Sequence, residues 1–200
     1  MLEYHSEKEF YVDKSMRGNG LVMCHRSKGQ SLVFFFKPDC PHCATAYPHI
    51  KRLASEMHNR LQFVMVNLNS HPGLIDMSAQ TVHPLEFVPV VVYYHNNRPY
   101  AMYDGDIMYD NIRTFATTMC DQIRSHHTRG ERVDGSEQRD ARFGANNNVI
   151  TAPVSSDHEV TDSSGNKLDP KEYGQGTPYN LVKCDKHRCY LSMSALGPGN

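Results

Sequence analysis

The sequence predicts an α/β domain over residues 1–127, followed by a long irregular C-terminal arm over residues 128–200. Three observations predict it. Continuous apolar runs alternate with segments of helical periodicity, a close cysteine pair sits where one such run gives way to a helix, and the apolar periodicity stops near residue 127. A continuous apolar run is the pattern of a strand buried on both faces, which an α/β architecture provides.

The elements follow in order. Residues 8–28 are expected to supply an opening strand and helix, which would place Cys24 on the helix. Residues 31–37 (SLVFFFK) read as a strand. The next segment carries Ile50, Leu53, Ala54 and Met57 at i, i+3, i+4 and i+7, one face of a helix. Residues 61–68 (LQFVMVNL) and 87–94 (FVPVVVYY) are further strands, with a linker helix between them. Asn96-Asn97 marks a hairpin into a last strand. Tyr93, Tyr94, Tyr100 and Tyr103 alternate along that hairpin and read as half-buried sheet residues. Residues 106–124 then form an amphipathic helix with Ile112, Phe115, Ala116 and Met119 on one side. Cys24 and Cys120 read as small buried hydrophobes.

From 128 to 180 the composition changes. Gly, Pro, Ser and Asn supply 19 of these 53 residues, while Val, Ile, Leu, Met, Phe and Tyr supply nine. Such a segment buries too little apolar surface to offset its ordering entropy, so it is expected to be disordered alone or to order on a partner. Residues 179–193 regain apolar content and are expected to dock as a short strand or hairpin.

Composition excludes several classes. Lys+Arg total 21 and Asp+Glu 22, a formal charge of −1, which argues against a nucleic-acid binder held by bulk charge. Mean hydropathy is −0.58, and no run approaches the roughly 20 apolar residues of a membrane span. The opening MLEYHSEKEF lacks the apolar stretch of a secretory signal, so a cytoplasmic location is expected. Six cysteines are too few for a disulfide scaffold, so the close pairs invite a redox or metal reading.

The strongest signal is Lys37-Pro38-Asp39-Cys40-Pro41-His42-Cys43, between a buried strand and a helix. Thiol–disulfide exchange needs a thiolate, and a helix N-terminus offers unpaired N–H groups and the positive end of the macrodipole. Pro41 suits the first helical turn, where its missing N–H costs nothing. Cys40 is expected to be the exposed nucleophile, with His42 donating to, or charge-stabilising, its thiolate, and Cys43 to resolve a mixed disulfide. Half of a zinc site is the alternative, with Cys184 and Cys189 as the other half. The proline and the preceding strand favour redox chemistry, so neither metal nor cofactor is expected. Cys184 and Cys189, flanking His187, are either a second redox pair on the arm, two solvated thiols, or one local disulfide.

Residues 8–125 resemble the thioredoxin superfamily. The resemblance is carried by the Cys-Pro-His-Cys motif, by Pro48 five residues after Cys43, by the segment 66–73 (VNLNSHPG), by Val88-Pro89 before an apolar run, and by Gly105 before the last helix. It implies a thioredoxin fold, a central mixed sheet flanked by helices, and a cis Val88–Pro89 bond facing the cysteine pair. It also implies a thiol–disulfide oxidoreductase acting on protein cysteines or disulfides, with Pro41, Val88 and Pro89 shaping the substrate groove. Two departures stand out: the family's buried carboxylate is replaced by Phe34 and its lysine partner by Met65. Asp39 replaces the usual aromatic before the first cysteine. The chain also resembles the divergent thioredoxin-like proteins of large DNA viruses. That likeness implies a rival function, a non-catalytic structural or adaptor module of a virion whose arm binds neighbouring proteins.

Overall fold

Five strands make the central sheet: β1 (Leu2–Tyr4), β4 (Gln30–Phe36), β5 (Gln62–Asn67), β7 (Val90–His95) and β8 (Arg98–Tyr103). They are seen in a computed structural model that describes residues 1–16, 20–103, 105–128 and 181–191. The strand order is β1-β5-β4-β7-β8. β1, β5 and β4 run parallel, and β7 and β8 are antiparallel to their neighbours. This is the mixed sheet of the thioredoxin fold. The parallel β4–β5 pair requires a crossover of a dozen or more residues, and α1 (Pro41–Met57) supplies it. The β7–β8 hairpin turns through Asn96 and Asn97, both at positive φ (46° and 72°), a conformation asparagine tolerates.

The continuous apolar runs exist because both faces of this sheet are covered. Leu32 and Phe34 of β4 join one core with Ile50, Leu53, Ile112 and Phe115, contributed by α1 and α3 (Tyr109–Thr128). Val33 and Phe35, pointing the other way, join a second core with Phe10, Leu74 and Ile75. α2 (Gly73–Ala79) lies on that second side. Phe34 pairs in register with Met65, and both are buried, so apolar packing fills the place where the family holds two charges.

Two expectations need correction. Residues 8–28 contain no opening α-helix among the described residues. After a 3-10 turn at Glu7–Glu9 come β2 (Phe10–Lys14) and β3 (Leu21–His25), an antiparallel pair. Glycines at 18 and 20 weigh against helix. Phe10, Val22, Met23 and Cys24 bury instead, so Cys24 is a strand residue. The tyrosines are also deeper than expected: Tyr93, Tyr94 and Tyr100 are fully buried, and Tyr103 alone is half-buried. Residues 129–180, the bulk of the expected irregular arm, lie outside the described residues.

β3 carries a buried histidine. His25 stacks on Phe10 at 4.7 Å and meets the Tyr94 edge at 5.4 Å. Its Nε2 lies 2.8 Å from Nδ1 of His5, and its Nδ1 lies 2.9 Å from the Ser27 hydroxyl. Burial, then repulsion from His5, lowers its pKa to about 4, against smaller pulls from Glu9 and Glu3. A lowered histidine pKa means that the unfolded chain takes up its proton first. Stability is therefore intact above pH 6.5 and is lost as pH falls from 6.5 toward 4. The loss attributable to His25 reaches about 3 kcal/mol at the lower end, at 1.36 kcal/mol per pKa unit. Urea midpoints measured between those limits should fall steeply for the native chain and more gently for His25→Phe. Parallel curves would contradict this assignment.

Candidate active site

β4 delivers the chain to the N-terminus of α1 with a tight turn. The Cys40 N–H donates to the Lys37 carbonyl at 3.2 Å, and Cys40 becomes the N-cap, with extended φ −89° and ψ 115°. Its sulfur accepts the Cys43 N–H at 3.2 Å, as a capping side chain does. Pro41 opens the helix, and Pro48 lies within it.

The two sulfurs are therefore inequivalent. The Cys40 thiol pKa is lowered, first by the hydrogen bond from the Cys43 thiol and then by the Cys43 and His42 backbone N–H groups; burial and the Asp39 carboxylate oppose this. The Cys43 pKa is raised, by that same sulfur–sulfur hydrogen bond and by burial. Of the two thiols, Cys40 is the one the helix N-terminus favours as thiolate, while Cys43 holds its proton more tightly.

The roof over Cys40 is β6 (Phe87–Val88), which leads into Pro89 through a cis Val88–Pro89 bond. The Val88 carbonyl lies 3.8 Å from the Cys40 sulfur. Beyond β6 lies the expected docking segment as a hairpin, β9 (Leu181–Cys184) and β10 (Cys189–Leu191). β6, β10 and β9 form a three-stranded antiparallel sheet, with Cys189 opposite Val88 and Tyr190 opposite Phe87. Cys184 and Cys189 face each other across the hairpin and form a disulfide, Cα to Cα 4.0 Å. Of the alternatives for this pair, the structure has the local disulfide.

Two further corrections follow from the hairpin. Cys40 was expected to be exposed, but it is 1% accessible and lies in the same buried cluster as Cys189 and Leu191 of β10. The His42 imidazole was expected to donate to the Cys40 sulfur. Its Nε2–H instead donates to the Asp185 carbonyl in the hairpin turn, at 2.8 Å. His42 acts on the sulfur through its backbone N–H.

The structure thus gathers Cys40, His42, Cys43, Val88 and Pro89 at the C-terminal end of β4, and brings Cys189 to them. Sequence reasoning missed Asp185 as the partner of His42. It also missed the Tyr190 and Arg188 contacts to Phe87, a T-shaped ring pair at 6.0 Å and a guanidinium 4.2 Å above the ring. One signal was available. Cys184 and Cys189 flank four turn-forming residues, the spacing of a cross-strand pair.

Strand order, cysteine-capped helix and adjacent cis proline define a thioredoxin-like protein. The chain belongs to the TraF family, described as F plasmid transfer operon protein, which matches residues 13–113. It is 33% identical over 85 residues to "Uncharacterized protein 196R" of Invertebrate iridescent virus 6, covering 42% of this chain and 48% of that one. It is 29% identical over 94 residues to "Uncharacterized protein 020R" of Invertebrate iridescent virus 3, covering 46% and 57%. The chain therefore spans about half the length of the curated relatives it matches. Among solved structures, the thioredoxin of Fasciola hepatica aligns with a TM-score of 0.38 and 21% identity, covering 46% of this chain and 82% of that one. No helix among the described residues is long and apolar enough to cross a membrane.

The Asp39 carboxylate is exposed on the turn and bonded at 3.4 Å by Asn69 Nδ2, where it opposes the thiolate. Asp39→Asn should lower the Cys40 thiol pKa, read from thiolate ultraviolet absorbance during a pH titration. An upward movement would show that Asp39 acts through the turn's structure rather than its charge.

Proposed function

We propose that this chain is a thiol–disulfide oxidoreductase acting on protein cysteines through Cys40 and Cys43. The observation that carries the proposal is the Cys40 sulfur capping the N-terminus of α1, where it accepts the Cys43 N–H at 3.2 Å with Cys43 one turn along the helix. The Cys40 thiolate attacks a substrate disulfide, forming a mixed disulfide and releasing one substrate thiol. Cys43 then loses its proton and attacks the Cys40 sulfur. The second substrate thiol leaves, and a Cys40–Cys43 disulfide remains. Two electrons and two protons pass to the substrate, and the reverse sequence oxidises a substrate dithiol. Pro41, Val88 and Pro89 line the approach. The β6 edge already pairs with an extended segment, which supports recognition of an extended substrate strand by backbone hydrogen bonds. The chemistry needs neither metal nor cofactor, and the substrate is a protein carrying cysteines or a disulfide.

One observation favours the rival reading. Cys40 is 1% accessible, so a protein substrate cannot meet it while the hairpin is seated. In that reading the domain (1–127) is an adaptor, and the arm (128–200) binds neighbouring proteins, as a virion component; the iridescent-virus relatives support such a setting.

Insulin reduction with the pure chain separates the two. Cys40→Ser should reduce turnover to background, and Cys43→Ser should reduce it by orders of magnitude while accumulating mixed disulfides detectable by mass spectrometry. Equal trapping by both variants would defeat the assignment of roles, and no turnover by the native chain would favour the adaptor.

A further inference from the structure

The hairpin that covers Cys40 carries a disulfide of its own, and it sits where a substrate strand would sit. Leu191 N–H donates to the Glu86 carbonyl at 2.8 Å. Hydrogen-bonded and non-bonded pairs alternate along an antiparallel ladder, so Cys189 opposite Val88 is the next bonded pair. The Val88 carbonyl is thus shared: it faces the Cys189 backbone on one side and lies 3.8 Å from the Cys40 sulfur on the other. The same alternation makes Cys184 and Cys189 a non-bonded pair across the hairpin, the closer kind, consistent with their Cα separation of 4.0 Å.

The burial of the four cysteines is asymmetric. Cys40, Cys43 and Cys189 are all buried in one apolar cluster, whereas Cys184 is exposed. Cys40 and Cys43 are thiols, while Cys184 and Cys189 are joined. The seat is specific: His42 Nε2–H donates to the Asp185 carbonyl, the Asp185 carboxylate accepts the His187 and Arg188 N–H groups at 2.8 Å and the Tyr190 hydroxyl at 3.0 Å, and Arg188 covers Phe87. His187 Nδ1 reaches the Asp106 carboxylate at 2.6 Å, tying the turn to the loop before α3.

We infer that the Cys184–Cys189 disulfide is an internal substrate of the Cys40–Cys43 pair, attacked at Cys189. This rests on the proposed oxidoreductase reading. The Cys40 thiolate forms a bond to the Cys189 sulfur, the Cys184–Cys189 bond breaks, and Cys184 leaves as a thiolate that takes a proton from water. Cys43 then gives up its proton and bonds to Cys40, the Cys40–Cys189 bond breaks, and Cys189 takes up a proton. The Cys40–Cys43 dithiol is oxidised and the hairpin disulfide reduced, two electrons and two protons in balance. The hairpin so connects a buried redox pair to an exposed thiol, Cys184, without exposing Cys40 to solvent. Attack at Cys189 follows from burial, because only that sulfur of the pair shares the cluster with Cys40. It also leaves the departing thiolate at Cys184, where water solvates it.

The test uses the full chain carrying Cys43→Ser, which stops the sequence after the first step. The protein, held in acid with the hairpin disulfide intact, is returned to neutral buffer, quenched with N-ethylmaleimide, digested without reductant and mapped by mass spectrometry. The expected product is a Cys40–Cys189 disulfide with Cys184 alkylated, forming at a rate unchanged on dilution. Four results overturn the inference: an intact Cys184–Cys189 disulfide with Cys40 alkylated, Cys40 joined to any other cysteine, a linkage only between two chains, or a rate that falls on dilution. A parallel sample receives glutathione disulfide. A glutathione adduct at Cys40 with no internal adduct overturns this inference and leaves the oxidoreductase reading standing. Neither adduct overturns both. Cys43→Ala gives the same readout should Cys43→Ser fail to fold.

Discussion

Everything at the reactive end of this molecule depends on the Cys43 N–H reaching the Cys40 sulfur. That bond caps α1, and it aims the helix's unpaired amides at a sulfur instead of at water. It also adds to the Cys43 thiol hydrogen bond in lowering the Cys40 pKa. The bond forms because β4 ends in a turn closed by Cys40 N–H onto the Lys37 carbonyl, and because Pro41 starts the helix without needing a partner of its own. The two-sided burial of β4 holds that turn in place. Phe34 locks the strand against α1 and α3, and Phe35 locks it against the opposite layer.

The same arrangement accounts for the lost buried charges. A carboxylate at position 34 would sit in an apolar cluster opposite Met65, where burying its charge is costly. Packing has been taken to its apolar limit there, and polarity at the site comes from the helix N-terminus and from the hairpin. The hairpin's polar anchors, Asp185 above all, replace a solvated mouth with a closed one.

Much of this was legible in the sequence. The runs 31–37 and 61–68 are strands because two-sided burial leaves no polar alternation to misread, whereas the run 87–94 is not one strand: Pro89 divides it into β6, paired with β10, and β7 of the central sheet. The Cys40–Cys43 turn was readable because Pro41 and the apolar run before it admit few geometries. The opening segment was not. LVMCH is too short for its period to separate strand from helix, and only packing onto the sheet decided it. The depth of Cys40 was illegible for a different reason. It depends on residues 181–191, nearly 150 positions away, and no local pattern reports that a hairpin pairs with β6. His42 shows the same limit: its neighbourhood in sequence pointed to the sulfur, while a distant carbonyl claimed its imidazole.

The closed site is the central claim, and amide hydrogen exchange on the full chain tests it most directly. With β10 seated on β6, the Leu191 amide, bonded to the Glu86 carbonyl, and the Cys189 amide, facing Val88, should exchange far more slowly than in an isolated peptide of the same sequence. Reducing the chain should speed exchange at both. Exchange at the isolated-peptide rate in the untreated chain would mean that the hairpin does not rest on β6 and that Cys40 is open to solvent.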